Sequence, residues 1–202
     1  MNRREASKAE TRRLVLEAAR ELFSQKGMQE CTIRDIAGKA GVSPASVLVH
    51  YKSKTALLEE ALVGDIRDAL SGLVASIPAG AGLLDRLMHL SKGMLRFYDR
   101  DRSLYRTLVR LTIFEPVSET PGMTKQSEEY VRFLSEMVEA EKASGVIRQD
   151  VDPMFAAASI FFFYLGALTM LFRMPEMSVE TVAGMLSSMT AQYLEGIAGG
   201  HP

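Results

Sequence analysis

Thr32-Ile33-Arg34-Asp35-Ile36-Ala37-Gly38-Lys39-Ala40-Gly41-Val42-Ser43-Pro44-Ala45-Ser46-Val47-Leu48-Val49-His50-Tyr51 spells two short helices with their boundaries written in. Thr32 is a favoured N-cap type, and Asp35 lies three residues on, where a carboxylate favours the positive end of a helix. Ile33, Ile36, Ala37 and Ala40 form a narrow apolar stripe, and Gly41 supplies a bend. Ser43 is placed to cap the second helix. Pro44 falls in its first turn, where a missing N–H costs nothing. Two helices of this size joined at a glycine bend make a helix-turn-helix, a motif whose second helix enters the DNA major groove.

The flanks extend the pattern. Leu14, Ala18 and Leu22, with Val15, Ala19 and Phe23, recur at helical spacing over residues 11–23, and Gly27 stands where such a helix would stop. Lys52-Ser53-Lys54-Thr55-Ala56-Leu57-Leu58 then caps and begins another helix. The ordered motifs Phe23-Ser24-Gln25-Lys26-Gly27, Thr32 to Ala37, Ala40-Gly41-Val42-Ser43 and His50-Tyr51-Lys52-Ser53-Lys54 resemble the tetracycline-repressor (TetR) family of bacterial regulators, over a run from Thr11 to about Leu62. That resemblance implies a homodimer with a three-helix DNA-binding head and a larger helical body that binds a small molecule. It also implies release of operator DNA when the ligand shifts the body. A DNA-binding regulator without a small-molecule ligand, controlled by a protein partner, is the alternative.

The chain has 202 residues, 47% of them hydrophobic and 24% charged, enough for a sizeable core on a soluble chain. Net charge is only −1, but it is unevenly spread. Residues 1–54 hold eleven Lys/Arg against six Asp/Glu, a surplus of five, and the remainder carries a deficit of six. A basic head on an acidic body suits a phosphate-binding module. Cys31 is the single cysteine, which excludes an internal disulfide or a multi-Cys zinc site. It precedes a helix start, which would lower a thiol pKa, although a small packed residue is the simpler reading. The histidines at 50, 89 and 201 are scattered, and no phosphate-binding glycine loop, metal motif or nucleophile elbow is present. No enzyme, cofactor or metal is expected. With a charged N-terminus and no apolar h-region, the expected compartment is the cytoplasm.

Periodicity predicts an all-α chain of about nine helices. The expected domains are a head over 1–53, a connecting helix 4 over 54–74, and a ligand-binding and dimerisation body over 75–202. Helical patterns fall near 83–99, 102–115, 124–144, 153–174 and 178–198. Residues 154–172 carry no charge, the lower limit for a membrane span. No membrane role is expected; the preferred reading is a helix buried all round, between a ligand cavity and a partner subunit. With the stripe Val182, Leu186, Met189, Tyr193 and Ile197 it would build a four-helix dimer interface.

The DNA-binding candidates are Thr32, Arg34, Ser43, Pro44, Ala45, Ser46, Leu48, Val49, His50, Lys52 and Lys54, facing double-stranded operator DNA. Lys52 and Lys54 flank a helix N-terminus, a good anion site, and Thr32, Arg34 and Ser43 are placed to donate at helix starts. Arg3, Arg4 and Lys8 precede the first predicted helix as a flexible arm or a solubilising tail. Val47 and Tyr51, four apart, should anchor the second helix. Within the resemblance, Leu48 stands where a Tyr commonly reaches a phosphate. Neither Arg nor Asn lies within 44–51, so His50 is the one strong polar reader there, and Ala45 and Val49 offer methyl groups only. Met94, Phe97, Tyr98, Tyr105, Tyr130, Phe133, Met137, Phe161 and Tyr164 are candidates to line a pocket for a small apolar or amphipathic ligand, along with Met88, Phe114 and Phe162. Any one of them is more often plain core than cavity lining.

Overall fold

The computed structural model describes the backbone of residues 3–199 and the side chains of residues 5–199. Among these residues the chain forms nine α-helices: α1 Arg3–Glu30, α2 Ile33–Ala40, α3 Pro44–His50, α4 Lys54–Ala75, α5 Leu83–Asp99, α6 Arg102–Phe114, α7 Pro121–Ala143, α8 Pro153–Arg173 and α9 Val179–Ile197. A short 3₁₀ turn, Val117–Glu119, precedes α7. The only strand-like pairing among them is an isolated bridge between Ile147 and Ala198. His201 lies outside the described residues, as do the side chains of Arg3 and Arg4.

The helix starts follow from local capping. Asp101 accepts from the Leu104 amide, Asp152 from the Met154 and Phe155 amides, and Ser178 from the Thr181 amide. Each satisfies donors that the first turn leaves free. The N-terminal arm is corrected: α1 already begins at Arg3, so Lys8 lies on an exposed helical turn. Gly27 does break the helix, at φ 77 and ψ 159.

The chain divides into two compact units. The first comprises residues 1–67 and 101–124, and the second 68–100 and 125–202. In the first unit Val15, Ala19, Phe23, Ile36, Val47, Leu57, Leu58 and Leu62 build the core. Arg12 pairs with Glu60, and Arg20 with Asp65 at 2.9 Å, tying α1 to α4. In the second unit Leu83, Leu87, Leu90, Leu134, Val138, Ile147, Ala156, Ala157 and Ile160 pack together.

Two sequence expectations change in the second unit. Helix α8 is long and apolar enough to cross a membrane by length and composition, yet it is not buried all round: Phe155 is 76% and Phe162 67% exposed. In α9 the stripe splits by depth. Val182 and Leu186 are buried, while Met189 is exposed, as is Met185, which lies outside that stripe.

Candidate nucleic-acid interface

The helix-turn-helix is fixed by three local devices. Thr32 Oγ1 accepts from the Asp35 amide at 3.1 Å. The Asp35 carboxylate in turn accepts from the Thr32 amide and hydroxyl, both at 2.8 Å, closing a capping box. Lys26 Nζ reaches the same carboxylate at 2.8 Å. That ammonium, with the two Thr32 donors, holds the Asp35 carboxyl at about 2. Gly41 then takes φ 68, the left-handed conformation that ends α2, and the Val42 amide donates back to the Ala37 carbonyl. Finally, Ser43 Oγ accepts from the Ser46 amide at 3.1 Å and lies 2.9 Å from Ser46 Oγ, with Pro44 in the first turn of α3.

Helix α3 is anchored from one side. Val47 is fully buried and Tyr51 is 3% exposed. On the other side Pro44 and Ala45 are exposed, as are Leu48 at 55% and Val49 at 78%. Ser46 and His50 are half-buried, and the His50 ring lies beside that of Tyr51, centroids 6.3 Å apart. The stretch thus presents an apolar outer face with little polar chemistry of its own.

The basic surplus of the head shrinks when its ion pairs are traced. Arg13 is held by Glu10 and Glu17, Lys39 by Glu21, Lys26 by Asp35, and Arg12 and Arg20 by the α4 carboxylates. Lys54 does not stand free at the start of α4 as the sequence suggested. Its ammonium donates to the Met28 carbonyl at 2.9 Å and to the Cys31 carbonyl at 3.1 Å, closing the loop between α1 and α2. The hydroxyls of Thr32 and Ser43 are likewise engaged in capping. Among the described residues, the head cations with neither an ion pair nor a side-chain hydrogen bond are Lys8, Arg34 and Lys52, all exposed. Arg34 sits in the first turn of α2 and Lys52 follows α3, so two unpaired positive charges bracket the exposed face in sequence. Cys31 is fully buried, and burial pushes its thiol pKa up, the reverse of an activated cysteine.

The other candidates fall in both units. In the second unit Tyr98 meets Phe97 and Phe172 edge-on, at 5.5 and 6.1 Å between centroids. Tyr130 meets Phe161 edge-on at 6.0 Å, and Phe161 stacks on Tyr164 at 6.3 Å. Tyr130 shares a hydrogen bond with Ser91, and Tyr164 one with Tyr98; burial raises the pKa of both Tyr130 and Tyr164. Met94 and Met137 are buried, while Met88 and Phe133 are partly buried. Tyr105 is buried and belongs to the first unit, whereas Phe114 and Phe162 point to solvent, at 77% and 67% exposure. Among the described residues no three His, Cys, Asp or Glu side chains gather into a metal site.

Residues 15–61 match the bacterial regulatory proteins, tetR family. An uncharacterized HTH-type transcriptional regulator of Bacillus subtilis, YvkB, is 28% identical, covering 93% of this chain and 97% of its own length. The HTH-type transcriptional repressor KstR2 of Rhodococcus jostii is 25% identical, over 73% of this chain and 72% of its own length. The fold resembles that of the transcriptional regulator FadR of Bacillus subtilis, solved in complex with stearoyl-CoA. The TM-score is 0.72 at 15% identity, covering 93% of this chain and 98% of that one.

Proposed function

The chain belongs to the tetR family of bacterial regulatory proteins and is a DNA-binding transcriptional regulator, and on that premise we propose that it is a homodimeric repressor released from its operator by a small molecule. The observation that carries the reading is α3: a capped helix anchored by Val47 and Tyr51, with an outward face bracketed in sequence by the unpaired cations Arg34 and Lys52. Residues 1–53 act as the DNA-binding head and 54–74 as the connecting helix. Residues 75–202 bind the ligand and form the dimer, in the cytoplasm.

In this reading Arg34 and Lys52 hold phosphates, while Ala45, Leu48, Val49 and His50 approach the bases. Helix α4 runs unbroken from Lys54 to Ala75 and passes from the first unit into the second. A ligand among Tyr98, Tyr130, Phe161 and Tyr164 would bias α4 and change the separation of two recognition helices that must fit major grooves about 34 Å apart. The carboxylate-free character of that group favours a ligand with a large apolar part. The named relatives support repression and an amphipathic ligand: KstR2 is called a repressor, and FadR was solved with stearoyl-CoA.

The test is selection of bound duplexes from a random pool by the full-length protein, followed by fluorescence anisotropy on the enriched sequence. The expected result is a palindrome with two half-sites, bound by a dimer and released by an amphipathic probe such as stearoyl-CoA. Recovery of no enriched sequence would overturn the DNA-binding role of α3. Release by no member of a panel of apolar and amphipathic probes would favour control by a protein partner.

A further inference from the structure

Ala45, Leu48 and Val49 occupy positions i, i+3 and i+4 of α3 and therefore share one face. All three are exposed, Val49 at 78%. A three-residue apolar face on a seven-residue helix is left uncovered among the described residues, and it lies opposite the Val47 and Tyr51 anchor. Hydrogen-bonding chemistry is scarce beside it: the Ser46 hydroxyl is shared with Ser43, and α3 contains no Arg, Lys, Asn or Gln.

We propose that this face reads its operator through the 5-methyl group of pyrimidines, which is thymine in unmodified DNA, with Val49 as the principal contact and Ala45 and Leu48 beside it. The inference rests on the assignment of α3 to the major groove. Ring C–H groups aside, every other group on the major-groove edges is a hydrogen-bond donor or acceptor, and the thymine 5-methyl is the one apolar group that projects there. Pressing Val49 against guanine O6 and N7 or the cytosine amino group would strip water from polar atoms and return no hydrogen bond. Against a methyl group the same contact removes apolar surface from water on both sides. Burying one carbon of that kind corresponds to about fourfold in affinity, hence about fifteenfold for a symmetric pair in a dimer-bound operator. The same face does not distinguish thymine from 5-methylcytosine by its methyl, so cytosine C5-methylation at those positions should restore binding to a site that carries cytosine there.

The experiment uses the full-length protein and the operator recovered by selection. Thymines are replaced pairwise by uracil, which removes the methyl alone, and by cytosine and 5-methylcytosine. The same duplexes are then measured with Val49→Ala, a variant whose folding is checked by its melting curve. The expected result is a loss of about fifteenfold for uracil at one or two symmetric pairs. Partial recovery is expected when cytosine at those pairs is methylated, and the uracil penalty should shrink in Val49→Ala. An enriched operator whose thymines all tolerate uracil would overturn the methyl reading while leaving the DNA-binding assignment intact. A uracil penalty that is the same size in wild type and Val49→Ala would overturn the assignment to this face. Failure to enrich any sequence would instead remove the functional reading beneath it.

Discussion

Lys52 and Lys54 are two residues apart and do different work. The Lys54 ammonium is held by the carbonyls of Met28 and Cys31, whereas Lys52 is exposed and without an ion pair. Hydrogen bonds to a charged group contribute about 1.5–3 kcal/mol. Lys54→Met should therefore lower stability by about 2 kcal/mol in urea unfolding, while leaving the salt dependence of DNA binding unchanged. Under the proposed function Lys52→Ala should do the opposite: intact stability, with a salt slope reduced by about one per subunit. An unchanged slope would remove Lys52 from the phosphate contacts. The carbonyls that claim Lys54 lie 23 and 26 residues back along the chain, so composition and spacing showed a free lysine where tertiary structure holds a bound one. Asp35 gives a second test. Its carboxyl is depressed from an ordinary 3.8 to about 2 by Lys26 and Thr32. A depressed value means that its stabilisation is present above the ordinary range and is lost as pH falls from there through about 2. Asp35→Asn should accordingly be less stable than wild type at pH 6, and the difference should close between pH 4 and pH 2. A gap that persists at pH 2 would show that the carboxylate charge is not what stabilises the turn.

Among the helices, the boundaries legible in the sequence are those whose caps are local. Thr32, Ser43, Asp101, Asp152 and Ser178 each precede the helix they cap, and α2, α3, α6, α8 and α9 begin within a residue or so of where spacing placed them. Helix α7 begins at Pro121, three residues before the expected 124, because its cap comes from elsewhere. Glu59 of α4 is 7% exposed, and its carboxylate accepts from the Met123 amide at 2.8 Å and from the Gly122 amide. A Cβ on Gly122 would stand 3.1 Å from Glu59 Oε1, so glycine there lets the carboxylate close on the helix end. Burial raises the Glu59 pKa more than the two amides lower it. Glu59→Ala leaves two first-turn amides without their acceptor and should cost about 2 kcal/mol. Glu59→Gln keeps one acceptor oxygen and should cost less. Because the folded pKa is raised, the ionised carboxylate is the less favoured form in the fold. The stability of wild type relative to Glu59→Gln should therefore fall as pH rises through the carboxylate's titration. Paired urea melts across pH 4 to 8 measure this, and a relative stability that rises with pH would reverse the sign assigned to its burial.

At the scale of the molecule, the second unit leaves an apolar surface that its own core does not use. Phe155 and Phe162 on α8, with Met185 and Met189 on α9, are each at least 43% exposed, while their helix neighbours Ile160, Leu171, Val182 and Leu186 are buried. Periodicity located both helices. It could not divide one stripe between a subunit's core and a partner, since both faces demand apolar side chains. Leu186 illustrates the consequence: read as interface from its spacing, it is 2% exposed within a single chain. Under the proposed function, exposed apolar side chains of this kind fit an isologous two-fold contact, in which each copy covers the same patch of the other. Two variants separate folding from association. Phe162→Glu with Met189→Glu places charges only on exposed positions. It should keep helical content and melting behaviour close to wild type while giving a monomer by sedimentation and weakened operator binding. Leu186→Glu buries a charge in the core, and should lower stability by several kcal/mol whatever the assembly state. If the exposed double variant still sediments as a dimer, the contact between subunits lies off α8 and α9, and the apolar face must serve something other than a second copy.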